Sequence, residues 1–194
     1  MSRFSVCVYC GSRPGLDAAF AQAANTVGRL IGQSGGQLVY GGGRAGLMGM
    51  VADAALAAGA TVVGVIPQAL MERELGHCGL TELHVVQTMH ERKHMMAERA
   101  DAFVALPGGI GTLEEIYEVW SWQQLGYHDK PVALLNVEGY YDALLAFMRV
   151  SHERGFVSAA QHNALLVDDD PGRLLARIAE AAAKATTPDD YSKI

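Results

Sequence analysis

DAFVALPGGIGTLEEIYEVWSWQQ, which spans residues 101–124, is the stretch that decides the fold of this chain. It opens with an apolar run at residues 103–106, which has the length of a buried strand, and Pro107 ends that run. Glycines at positions 108, 109 and 111 then allow a sharp turn and the close approach of a ligand. From Thr112 the apolar side chains recur at helical spacing, so the stretch predicts a strand, a glycine-rich turn and a helix.

The junction between this turn and the helix is suited to an anion. Main-chain N–H groups without an intrahelical acceptor converge at a helix start, where the helix dipole is positive, and such a place often binds phosphate. Glu115 has two compatible interpretations here. It completes a capping box in which Thr112 is the N-cap, or it is a carboxylate at the mouth of the phosphate site.

Composition and charge limit the class of protein. The chain has 194 residues, of which 50% are hydrophobic and 19% charged, values typical of a globular domain. A net charge of −6 argues against nonspecific binding to nucleic acid, which depends on cationic contacts. No apolar run approaches the roughly 20 residues of a membrane helix, and the N-terminus does not resemble a signal peptide. We therefore expect a cytoplasmic protein that binds neither nucleic acid nor a membrane.

Short apolar runs alternate with helical patterns along the whole chain. This alternation predicts an α/β, three-layer fold with a central parallel sheet and helices on both faces. Strands are expected at residues 4–9, 37–40, 61–66, 83–86, 103–106, 132–135 and 164–167. Helices are expected at residues 16–34, 47–58, 89–100, from 112 onward, 140–153 and 171–184. A single domain should span residues 1–185, followed by a polar tail at residues 186–194.

Three turns that follow predicted strands, at Gly11, Gly41 and Gly108, should emerge on one edge of the sheet. In open parallel sheets, ligands bind beyond the carboxyl ends of the strands. One binding site can therefore use all three turns.

Two motifs near the N-terminus have alternative interpretations. Cys7 and Cys10 form a C-x-x-C, but residues three apart in a strand face opposite sides of the sheet, which favours core packing over redox chemistry. Gly41, Gly43 and Gly46 match the dinucleotide fingerprint G-x-G-x-x-G. That fingerprint also needs an acidic residue after the next strand, and this chain has Ile-Pro at residues 66–67. A tight turn near another phosphate or a ribose is the favoured interpretation.

Residues 90–94, HERKH, match the zinc-protease signature H-E-x-x-H. At about 100° per residue around a helix, the apolar stripe of this segment is flanked by Arg92 and Lys93, while the two histidines fall to one side. We therefore expect the two cations, rather than a zinc ion, to face the body of the protein. They are either surface side chains that lie along apolar neighbours or an anion clamp, for which arginine is well suited.

The combination of these motifs resembles one family. P-G-G-I-G-T-L-E-E at residues 107–115, G-G-G-R-A-G-L-M-G at residues 41–49 and M-H-E-R-K at residues 89–93 are similar to the Lonely Guy (LOG) family. Its members are cytokinin riboside 5′-monophosphate phosphoribohydrolases, often labelled lysine decarboxylases, and the resemblance covers nearly the whole chain. It implies a Rossmann-like homodimer that needs no metal or other cofactor. The implied substrate is a nucleoside 5′-monophosphate, which is split into free base and ribose 5-phosphate.

The resemblance also implies site residues. Arg92 and Glu115 match the catalytic pair, Lys93 would lie beside them, and Glu74 matches a position that contacts the nucleotide. Ser121 stands where plant members often carry threonine. The phosphoribosyl site would be lined by Gly109, Ile110, Gly111, Thr112, Leu113, Glu114 and Glu115. The turns after the first two strands add Ser12, Gly42 and Gly43 as further candidates.

Two other functions stay open at this stage. The chain could be a noncatalytic sensor or carrier of AMP-like nucleotides with the same fold. A pyridoxal-phosphate decarboxylase would need a Schiff-base lysine, and only Lys93 is near the predicted site. For the base, we expect a pocket formed by residues 68–79 and by Met95, Met96 or Trp122.

Overall fold

A computed structural model describes residues 4–71, 76–186 and 189–191 of the chain. The strands are β1 Ser5–Tyr9, β2 Gln37–Tyr40, β3 Thr61–Pro67, β4 Glu82–Val86, β5 Ala102–Ala105, β6 Val132–Leu135 and β7 Leu165–Asp168. The helices are α1 Ala18–Gln33, α2 Gly46–Ala57, α3 Met89–Glu98, α4 Ile110–Leu125, α5 Asp142–Glu153, α6 Ala159–Ala164 and α7 Pro171–Ala182. Short 3-10 helices lie at Gln68–Leu70 and Val137–Gly139.

The strands form one parallel sheet in the order β4-β3-β2-β1-β5-β6-β7. Helices α1, α2 and α7 pack on one face, and α3, α4 and α5 pack on the other. The predicted three-layer α/β fold is therefore confirmed. Cys7 and Cys10 belong to the cores on opposite faces, as the strand periodicity predicted.

The strand order reverses between β1 and β5, which pair in the register Val6 to Ala102. Chain segments on either side of such a reversal leave the sheet in opposite directions, and a crevice opens between them at the carboxyl ends of the strands. The fold therefore creates a binding crevice directly above β1 and β5, beside the glycine-rich turn at residues 107–111.

Helix α1 contacts α2 through a glycine, and this contact supports a test of stability. A Cβ atom added to Gly28 would lie 2.2 Å from the main-chain oxygen of Val51 and 2.9 Å from the amide nitrogen of Ala55. Because both neighbours are main-chain atoms of α2, the helices must separate to admit a methyl group. We expect Gly28→Ala to lower the free energy of unfolding by about 1–3 kcal/mol, measured by urea denaturation.

The matched control for this variant is Gly172→Ala in α7. There the nearest atom to an added Cβ is a side-chain oxygen of Asp170, 3.3 Å away, so a shift of a few tenths of an ångström admits the methyl group. A loss of stability as large in the control as in Gly28→Ala would contradict the close approach of α1 and α2 as the cause.

Two parts of the chain differ from the sequence-based expectation. Helix α6 was not predicted, although Ser158 and Gln161 form a capping box at its start. Beyond residue 185, Tyr191 is only 5% exposed and packs against His94 and Trp122, with ring centroids 5.7 and 5.9 Å apart. The described end of the tail therefore contacts α3 and α4, and the domain boundary at residue 185 stays a prediction. None of the described helices is long and apolar enough to cross a membrane.

Candidate active site

A cavity of about 550 Å³ opens at the carboxyl ends of β1 and β5. The cavity is lined by residues 10–15, after β1, and residues 107–112, after β5, and its other polar lining residues include Arg92, Glu114 and Glu115. The two loops are joined, because the N–H group of Gly11 donates to Pro107 O at 3.1 Å. The turns after β1 and β5 therefore line one cavity, as the sequence predicted.

The glycine-rich loop leads directly into α4, which begins at Ile110 with Gly109 as its N-cap. Gly109 provides no side-chain cap, and a Cβ added at Gly109 or Gly111 would have no other atom within 4 Å. The first N–H groups of a helix lack intrahelical acceptors, so this end of α4 presents donors to the cavity across an open surface. That geometry suits a phosphate.

The predicted capping box of Thr112 and Glu115 is wrong. Thr112 lies inside the first turn of α4, where its side chain is 4% exposed and packs against Gly108. An N-cap residue needs an extended backbone, which here belongs to Gly109. Glu115 is therefore not committed to capping, and its carboxylate lines the cavity.

Arg92 on α3 is buried beneath the cavity, with 5% of its surface exposed. Its Nε donates to Val65 O at 3.1 Å, and Nη2 donates to Gly41 O at 3.0 Å. A Cβ added to Gly41 would lie 2.1 Å from Nη2, so only glycine permits this contact. The turn after β2 thus contributes to the site by fixing the position of Arg92. These buried contacts confirm the prediction that the Arg92 guanidinium faces the interior of the protein.

Glu115 lies opposite this guanidinium, with Oε1 4.0 Å from Nη1 of Arg92 and a side chain 12% exposed. Its negative charge contributes to raising the pKa of the buried Cys10 thiol, for which desolvation by burial is the larger cause. Because only 12% of its side chain is exposed, the Glu115 carboxylate lies in a poorly hydrated environment. A charge in such surroundings interacts strongly with charges that develop nearby.

Lys93, the neighbour of Arg92, is held away from the cavity by α4. Its Nζ lies 2.7 Å from Glu114 Oε1 and 2.8 Å from Glu118 Oε1. Burial lowers the pKa of Lys93, but hydrogen bonds and charge from the two carboxylates outweigh that effect and raise it overall. The ion pairs join α3 to α4 beside the Arg92–Glu115 pair, and Lys93 itself does not line the cavity.

The remaining predicted residues fall into three groups. Ser12, Gly109, Ile110, Gly111, Thr112 and Glu114 line the cavity. Four predicted residues do not line the cavity, namely Leu113, Ser121, Gly42 and Gly43. Ser121 is exposed on α4, and Gly42 O accepts a hydrogen bond from the N–H group of His77 at 2.9 Å. Glu74 lies outside the described residues.

The alternative motifs have structural roles. The N–H group of Leu47, at the start of α2, donates to Gly11 O at 3.0 Å, so the turn after β1 occupies the place where a dinucleotide would approach that helix. In the segment HERKH, which matches the zinc-protease signature, Glu91 instead forms a capping box with Thr88 at the start of α3. Burial raises the pKa of both Cys7 and Cys10, which opposes thiolate chemistry.

Several lining residues were missed from the sequence. Phe20, Met48 and Met89 supply apolar surface, and the Tyr140 hydroxyl donates to Gly108 O. Of the residues expected to form the base pocket, Leu70 in segment 68–79 lines the cavity, whereas Met95, Met96 and Trp122 do not, and Met96 and Trp122 are core residues. The only sequence signal for Tyr140 was its place just beyond a strand that ends on the same edge of the sheet.

Comparisons with known proteins cover most of the chain. A family described as "Possible lysine decarboxylase" matches residues 48–178. A probable cytokinin riboside 5′-monophosphate phosphoribohydrolase of Oryza sativa subsp. japonica is 49% identical over 92% of this chain and 78% of its own length. The cytokinin riboside 5′-monophosphate phosphoribohydrolase of Rhodococcoides fascians is 50% identical over 86% of this chain and 84% of its own length.

Among solved structures, the molybdenum cofactor binding protein from the phototrophic bacterium Rippkaea orientalis has the same fold. The two structures superpose with a TM-score of 0.71, and the match covers 93% of this chain and 98% of that protein. Sequence identity is 21%, so this likeness concerns the fold alone.

Proposed function

We propose that this chain, which belongs to the cytokinin riboside 5′-monophosphate phosphoribohydrolase (LOG) family, hydrolyses the N-glycosidic bond of adenosine 5′-monophosphate and its N6-modified forms. The products are adenine or the free cytokinin base and ribose 5-phosphate. The observation that carries the proposal is the position of the Arg92–Glu115 pair in the same cavity as the open start of α4.

The start of α4 is the proposed anchor of the 5′-phosphate. Main-chain N–H groups of Ile110, Gly111 and Thr112 and the positive end of the helix dipole favour a dianion there. Anchoring the phosphate fixes the ribose relative to the rest of the cavity. Binding energy from this group, which does not react, then becomes available to stabilise the transition state.

Glu115 is the proposed catalytic carboxylate. Loss of the base places positive oxocarbenium character on the ribose, and a nearby carboxylate stabilises that charge or activates the attacking water. Arg92, fixed by two main-chain oxygens, orients Glu115 or contacts phosphoribosyl oxygens. The apolar surface of Phe20, Met48, Leu70 and Met89 is the proposed place for the base.

The lysines argue against the decarboxylase that the family description suggests. A Schiff base forms from an unprotonated amine, whereas ion pairs with Glu114 and Glu118 raise the pKa of Lys93. Lys130 is buried and donates to Ala97 O at 2.9 Å. Neither lines the cavity, nor does Lys184, and Lys193 lies outside the described residues.

The proposal includes a homodimer, which the family resemblance implies, and a cytoplasmic location. Phe147 and Val150 support an interface on α5, because their side chains are 62% and 44% exposed. Large exposed apolar side chains on one helix are typical of a surface that another protein covers. Sedimentation equilibrium measures this association.

The test of the proposed function is release of free base, followed by chromatography. Wild-type protein is given AMP, isopentenyladenosine 5′-monophosphate and isopentenyladenosine. We expect base from both nucleotides and at least tenfold slower release from the riboside, because the phosphate anchors the sugar. Equal rates on the riboside would contradict that anchor. Nucleotide binding without base release would identify a carrier of the same fold.

A further inference from the structure

Arg13 lies in the turn after β1, where its backbone is tightly packed and its side chain is exposed beside the cavity. Its side chain is exposed, and the residue lines the cavity. A Cβ added to Gly46 would lie 2.4 Å from the amide nitrogen of Arg13, and one added to Gly11 would lie 2.9 Å from its carbonyl oxygen. The backbone of Arg13 is therefore packed tightly between two glycines, while its side chain reaches solvent.

The same turn contacts the proposed phosphate loop. Gly11 donates its N–H group to Pro107 O at 3.1 Å, and a Cβ on Gly11 would lie 3.4 Å from the Cα atom of Gly108. Arg13 follows Gly11 by two residues. Arg13 thus belongs to the part of the cavity wall that adjoins the glycine-rich loop before α4.

The other cations near the cavity are already engaged. Arg92 donates to two main-chain oxygens and faces Glu115, and Lys93 is paired with Glu114 and Glu118. Across residues 4–71, 76–186 and 189–191, the Arg13 side chain makes no ion pair or side-chain hydrogen bond with the protein. Among the described residues that line the cavity, Arg13 is therefore the one side-chain cation without a partner in the protein, which leaves it available to a dianionic phosphate near the main-chain donors of α4.

We propose that Arg13 binds the 5′-phosphate of the substrate and thereby determines the preference for nucleotides over unphosphorylated ribosides. Its guanidinium forms charge-assisted hydrogen bonds with phosphate oxygens, which are stronger than those between neutral partners. This inference rests on the proposed function, because it assigns a ligand group to the same cavity. Arginine is preferred over lysine for planar, two-point contacts with phosphate.

The test compares Arg13→Ala and Arg13→Lys with wild-type protein and with Arg44→Ala. Arg44 is the matched control, since it is an exposed arginine in the neighbouring turn after β2 and does not line the cavity. We expect Arg13→Ala to weaken ribose 5-phosphate binding about 10- to 100-fold by calorimetry. The ratio of kcat/KM for AMP to kcat/KM for adenosine should fall by a similar factor. Arg13→Lys should recover part of both.

The outcomes separate this inference from the proposed function. Unchanged affinity for ribose 5-phosphate in Arg13→Ala, or an equal loss in Arg44→Ala, would overturn the role of Arg13 even if wild-type protein releases base. Wild-type protein that releases no base would overturn the proposed activity. The calorimetric comparison would still decide whether Arg13 binds the phosphate.

Discussion

Replacement of Glu115 by glutamine is expected to lower kcat for base release from AMP by at least about 100-fold. Glutamine keeps the size and the polar end of the side chain but carries no charge. The carboxylate lies 4.0 Å from Arg92 in a cavity wall where it is only 12% exposed. A neutral amide there cannot stabilise positive charge on the ribose or accept a proton from water, so the loss should appear in kcat.

Ribose 5-phosphate affinity and thermal unfolding distinguish a catalytic effect from a structural one. Both should stay close to wild type in Glu115→Gln, because the phosphate binds at the main chain of α4. Glu153→Gln on α5 is the matched control, since that carboxylate is 62% exposed and does not line the cavity. Near-normal turnover by folded Glu115→Gln would exclude the proposed mechanism.

Arg92→Ala is expected to reduce kcat/KM by a similar factor, at least about 100-fold, but with a cost in stability as well. The change removes the donor from Gly41 O and Val65 O, and unpaired buried acceptors cost about 1–3 kcal/mol each. It also removes the guanidinium opposite Glu115. Kinetics at a temperature well below the midpoint of unfolding therefore gives the catalytic loss.

Gly41→Ala tests the same role with the guanidinium still present. An added Cβ 2.1 Å from Nη2 displaces Arg92 from its main-chain acceptors, and we expect a loss of activity in the same direction. Arg99→Ala is the control on the same segment, because that side chain is 35% exposed and pairs with Glu82. Wild-type rates in folded Arg92→Ala and Gly41→Ala would show that the position of this guanidinium is unimportant.

Sequence patterns predict the sheet well because a buried parallel strand leaves a simple signature. Each predicted strand, such as the apolar run Val132–Leu135, became a strand close to its expected bounds. The inward direction of Arg92 was also predictable, since helical periodicity alone places it beside the apolar stripe. These features depend on local spacing, which the sequence displays directly.

Features that depend on contacts between distant segments were not predictable. The pattern T-x-x-E fits a cap at Thr112, but burial of that side chain against Gly108 places it inside α4. The acceptors of Arg92 lie on β3 and after β2, and the partners of Lys93 lie on α4. Main-chain oxygens carry no sequence signal, so only the folded arrangement identifies them.

The central position of β1 has a consequence for how the chain is synthesised. Strands β1 to β4 precede the rest of the sheet, yet Val6 must pair with Ala102, which leaves the ribosome much later. Until then one edge of the apolar strand SVCVY lacks its partner, and such an edge can pair with other chains. We therefore expect nascent chains that end before β5 to aggregate readily. Because Arg92 precedes β5 and Glu115 follows it, the cavity is complete only after both halves of the sheet have joined.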